Sequence, residues 1–129
     1  MTEKNEPQYI GRYGEVLENV HEMEHSLEEK NPKTRTLGAI GLDERGVKRR
    51  IMFDISRKTG KKCGRYYIYR PKEEQKGTRF NSCLIEQCFF LNDLLHRDDI
   101  FYNERGEKTK KIWFLRGRQL NGNVLLPKG

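Results

Sequence analysis

Between Asn19 and Glu29 the chain reads NVHEMEHSLEE. Within it, His21-Glu22-Met23-Glu24-His25 has the spacing H-E-x-x-H. On a helix this spacing puts two imidazoles on one face, where they could share a zinc ion while the glutamate activates its bound water. The surrounding residues argue against that chemistry. Val16, Val20, Met23 and Leu27 recur at three- and four-residue spacing, which predicts a helix over 14–30 that ends at Asn31-Pro32. At ~100° per residue the apolar stripe faces away from His21 and His25. The two histidines instead share a face with Glu18 and Glu29, so it reads as a solvated acidic surface. A catalytic zinc also needs a dry cleft and a third protein ligand, and the remaining histidine, His96, falls at the end of another predicted helix. Asp54 with Lys58, Ser56 and Ser82 have no evident catalytic context. The expectation is a protein without metal, cofactor or catalytic residue.

Charge is the stronger signal. The 129 residues carry a net charge of +7, with 35% charged and 34% hydrophobic residues. Residues 1–31 hold eight acids against three bases, whereas 45–70 hold ten bases against the single acid Asp54. A partner of that segment should be anionic. Arginine and lysine supply phosphate contacts, and aromatic faces supply stacking surfaces for bases. The segments RGVKRR, RKTGKK and CGRYYIYRPK interleave both. The candidate anion-binding residues there are Lys48, Arg50, Arg57, Lys58, Lys61, Lys62, Arg65, Tyr67 and Tyr69. A second cluster around Trp113 and Phe114 adds Lys110, Arg116 and Arg118, with Lys108 and Lys111 beside them. The four bases of RKTGKK are expected at an exposed hairpin tip.

The elements that must position these residues read as a mixture. RTLGAIGL (35–42), VKRRIMFDIS (47–56) and CGRYYIYR (63–70) are rich in β-branched and aromatic residues and separated by glycine-bearing turns, the pattern of antiparallel hairpins. Alternation puts Arg65, Tyr67 and Tyr69 on one face and Tyr66, Ile68 and Arg70 on the other. It also puts Ile51, Phe53 and Ile55 on the core side of their strand, and only one of Trp113 and Phe114 in the core. NSCLIEQCFFLNDLLH (81–96) predicts a second helix with Leu84, Cys88, Leu91 and Leu95 on its apolar face, and a strand leading into a short helix is the alternative for an apolar run of this length. DIFYNE (99–104), TKKIWFLRG (109–117) and NVLLP (123–127) complete the strands.

The expected fold is therefore a single α+β domain over 1–129, with a loose N-terminus over 1–12. It has an antiparallel sheet of four to six strands and two helices packed on one face. Cys63, Cys83 and Cys88 do not form a disulfide framework and read as free thiols. No apolar run is long enough to cross a membrane, and no secretion signal is evident, so a cytoplasmic or nuclear setting is expected. The expected function is non-enzymatic binding of a polyanion, with nucleic acid first. A pocket for a small phosphorylated ligand such as a nucleotide, built from Arg57, Arg65 and Asn92, is the alternative. A protein-interaction or inhibitor module is the third reading, and self-association of the acidic start with the basic body is compatible with all of them.

Overall fold

A computed structural model describes residues 8–23, 33–70, 84–120 and 124–125. Among these residues the protein is entirely β. Its strands are β1 (Glu18–Glu22), β2 (Thr34–Leu42), β3 (Lys48–Ser56), β4 (Lys62–Tyr69), β5 (Leu84–Leu91), β6 (Leu94–Leu95), β7 (Arg97–Tyr102), β8 (Lys108–Leu115), β9 (Arg118–Gln119) and β10 (Val124–Leu125). They form one antiparallel sheet in the order β1-β2-β3-β4-β5-β7-β8-β10, with β6 pairing β5 and β9 pairing β8. No described helix is long and apolar enough to cross a membrane.

The α+β expectation is thus corrected: neither helix forms among the described residues. In the first segment, the spacing of apolar residues misleads. Val16 is 51% exposed, and Leu17, outside the helical stripe, is the buried residue at 5%. Residues 18–22 pair with β2, with a register shift between Glu18 and His21 and with Asn19 in the left-handed region at φ 54°. His21 is exposed and bonded to the Asn19 carbonyl, and Glu22 pairs with Arg35. His25 and residues 24–30 lie outside the described residues, so the helical geometry that gives H-E-x-x-H its meaning is already lost at its first two members. In the second segment, Glu86, Cys88 and Phe90 point into the core while Ile85, Gln87, Phe89 and Leu91 are half-buried on the outer side. A strand covered on both faces shows no polar alternation, so its apolar run imitates a helix. Asn92 and Asp93, both at positive φ, then close a two-residue hairpin between Leu91 and Leu94.

The remaining strands lie where alternation places them. Ile51, Phe53, Ile55, Tyr66 and Ile68 are all 2% exposed or less. Phe114 is core and Trp113 is 42% exposed. Cys63 and Cys88 are free thiols, and Ser82 and Cys83 lie outside the described residues. Residues 8–17, the first five of which read as loose in the sequence, instead lie over the inner face. Tyr9, Phe53, Tyr66 and Phe90 form a run of rings with centroids 5.7, 5.8 and 5.3 Å apart. Burying each such side chain stabilises by roughly 1.5–3 kcal/mol. The sheet is rolled: Lys110 in β8 reaches Glu44 in the β2–β3 turn at 2.6 Å, although β8 and β2 are not neighbours in the sheet.

Candidate nucleic-acid interface

Three groups of ionisable residues set the electrostatics, and the first is internal. Arg12 enters the roll and donates from Nε to Glu86 at 3.2 Å and from Nη2 to Asp99 at 2.8 Å. Glu86 and Asp99 are fully buried, the Tyr13 hydroxyl donates to Glu86, and the Arg12 amide donates to the Tyr66 hydroxyl at 2.9 Å. One guanidinium cannot balance two buried carboxylates. Burial, aided by the hydrogen bond and negative charge of Asp99, raises the Glu86 carboxyl to about 9. Glu86 is therefore protonated at neutral pH and can share that proton with neighbouring Asp99. Burial works against the Arg12 charge, but the two acids outweigh it and the net shift is upward. Burial first, and the neighbouring Glu86 second, push the Tyr13 hydroxyl upward too. Glu86, Cys88 and Asp99 are close enough to hold a metal ion, but the guanidinium occupies the cation's place beside Asp99. The cluster is a structural ion network under the sheet.

The second group is the outer face of β3, β4 and β5. Arg50 stands opposite Tyr69, Met52 opposite Tyr67, and Arg65 opposite Phe89. Tyr67 and Tyr69 are half-buried with rings 6.1 Å apart, and Arg65 and Arg97 lie 6.0 and 5.0 Å from the rings of Tyr67 and Phe89. Asp54 lies beneath, accepting from Thr36 Oγ1 at 2.7 Å and from the Arg65 amide at 3.3 Å. It packs there because position 64 is glycine, at φ 124°, where a Cβ would stand 2.9 Å from Oδ2. Asp54 thus orients Arg65, whose Nε lies 3.6 Å from its Oδ2. Lys48 is exposed and paired with Glu18 at 3.3 Å.

The third group is the end of the roll where three turns meet. The β3–β4 turn carries exposed Arg57, Lys58 and Lys61, the β8–β9 turn carries exposed Arg116, and exposed Arg118 opens β9. The hairpin between them ties both down: the Asp93 amide donates to the Lys62 carbonyl at 2.9 Å, and the Gly117 amide to the Leu95 carbonyl at 2.6 Å. Among the described residues, none of these five bases, nor Arg50 or Arg97, forms an ion pair. Between the turns opens a cleft of about 710 Å³ with Thr59, Gly60 and Gly117 at its rim and Tyr9, Arg12, Lys62, Phe90 and Leu95 among its walls.

Two predicted site residues take a different place. Lys62 is 5% exposed and is not at the tip. Its ammonium turns into the cleft, donating to the Ile10 carbonyl at 2.7 Å and lying 4.8 Å from the Phe90 ring. Lys110 is held by Glu44 and by the Phe101 ring at 4.2 Å on the inner side. Asn92 serves the hairpin turn. The residues not anticipated are Arg12, Phe89, Phe90 and Arg97. The chain matches no known protein family, no curated protein and no solved structure.

Proposed function

We propose that the protein binds single-stranded nucleic acid across the turn-bearing end of the roll and the adjoining outer face of β4. The observation that carries this reading is the meeting of two basic turns, some sixty residues apart in sequence, around one cleft, with none of these five bases neutralised by an acid among the described residues. Single strands suit the surface because Arg65, Tyr67 and Tyr69 continue from the rim along β4, offering a cation and two ring edges or faces in succession. No exposed helix is available to enter a duplex groove among the described residues.

The test is a salt titration of oligonucleotide affinity. Replacing Arg57, Lys58, Lys61 and Arg116 by Ala should weaken binding and reduce the logarithmic salt slope by about 0.7 for each phosphate no longer neutralised. Tyr67→Ala should cost roughly 1–3 kcal/mol of affinity while Tyr67→Phe keeps most of it, because stacking needs the ring and not the hydroxyl. A wild-type protein that ignores both DNA and RNA single strands at low salt refutes the reading.

A further inference from the structure

The cleft contains more cationic capacity than the fold uses. Lys62 carries three N–H donors. One goes to the Ile10 carbonyl at 2.7 Å, and a second reaches Asp93 Oδ1 only at 3.4 Å. Arg12 spends Nε on Glu86 and Nη2 on Asp99 and lies 4.6 Å from the Tyr13 ring, and its Nη1 makes no hydrogen bond among the described residues. Two cations with donors in reserve thus line one cleft together with apolar and aromatic Tyr9, Ile10, Phe90 and Leu95, polar Gln8 and Thr59, and the acid Asp93. Its volume of about 710 Å³ lies within the usual range for small-ligand sites. The mouth is basic on two sides.

We infer that the cleft is a site for a nucleoside 5′-phosphate, with the phosphate on Lys62 and Arg12 and the base against the aromatic wall. This rests on the nucleic-acid reading and names what the cleft takes from it: the phosphorylated 5′ end of a strand, whose following phosphates lie among Arg57, Lys58, Lys61, Arg116 and Arg118. The occupant must be anionic at its buried end, flat and apolar in its middle, and anionic again at the mouth. A 5′-phosphorylated strand has that order of groups, and an internal stretch of strand has no terminal phosphate to place on the buried cations. Asp93 opposes the phosphate. Its Oδ1 is committed to the Lys62 amide at 2.7 Å, and its side chain is 47% exposed, so it weakens the site without blocking it.

Affinity is compared for one oligonucleotide carrying 5′-phosphate, 5′-hydroxyl or 3′-phosphate, with free nucleoside 5′-monophosphate as competitor. The 5′-phosphate should tighten binding about tenfold or more, the worth of one charge-assisted hydrogen bond, and the 3′-phosphate should not. Lys62→Met should abolish the preference. Asp93→Asn keeps an acceptor for the Lys62 amide and suits a left-handed residue, so it tests the site independently of whether Lys62→Met folds, and it should widen the preference. Equal binding of the three wild-type ligands overturns this inference and leaves the broader function standing. Stabilisation by the free nucleotide with no strand binding overturns the broader function and supports the cleft. No response to either ligand overturns both.

Discussion

Protonated Glu86 gives the protein an unusual dependence on pH. Its carboxyl rises from an ordinary value of 4.5 to about 9 in the folded chain, through burial first and the neighbouring Asp99 second. Between those values the folded state holds one more proton than the unfolded state. The stabilisation is complete below the unfolded value and is lost as pH rises toward the folded one. The loss is about 1.4 kcal/mol per pH unit, hence about 3 kcal/mol between pH 6 and pH 8. For a chain of this size, ~3 kcal/mol lowers the melting temperature by roughly 10 °C. Glu86→Gln keeps a donor for Asp99 but cannot accept from both Arg12 and Tyr13. It should cost about 1 kcal/mol at pH 6 and flatten the slope, so that it equals or exceeds the wild type at pH 8. Urea unfolding at pH 6, 7 and 8 measures this directly. A wild-type stability that is constant or rises over this range, or a Gln variant with the same slope, would refute the shared-proton account.

Three further substitutions test separate parts of the structure. Arg116 occupies the left-handed region at φ 47° ahead of Gly117 at φ 88°, a turn that would suit Asn-Gly, so Arg116→Gly should gain about 1 kcal/mol of stability while weakening oligonucleotide binding. Thermal melts and binding isotherms that move in the same direction would show that the arginine is not kept for its charge. Leu17→Ala should cost roughly 2–5 kcal/mol and Val16→Ala little, the reverse of what a helix through Val16 and Val20 requires, and denaturant midpoints distinguish the two.

What the sequence revealed depended on whether each strand had one polar face. β3 and β4 alternate visibly because their outer positions are Lys48, Arg50, Arg65 and Tyr67, against Ile51, Phe53, Tyr66 and Ile68 inside. β5 conceals its period because Phe89 and Leu91 cover its outer side. Its signal was the Asn92-Asp93 pair, which stops a helix pattern and suits a two-residue turn. The start of the chain carried the spacing of a helix but found its partner in β2, and no local pattern reports a pairing made across a gap in sequence.

For the site, local composition identified the basic turns, while strand parity decided which charges are available. Lys62 has the parity of Tyr66 and Ile68, Lys110 that of Ile112 and Phe114, and Glu86 that of Cys88 and Phe90. An ionisable residue at a core parity must find a partner or lose its charge. Lys62 has Asp93 and the Ile10 carbonyl, Lys110 has Glu44, and Glu86 has Arg12 and a retained proton. The acids nearest the core are therefore spent on internal cations. What remains at the turn-bearing end is a set of bases paired with no acid among the described residues, grouped around a cleft that Lys62 and Arg12 line. Bases needed only for solubility could be spread over the surface, whereas bases gathered at one opening, one of them held at an unfavourable backbone angle, fit a surface shaped for an anion.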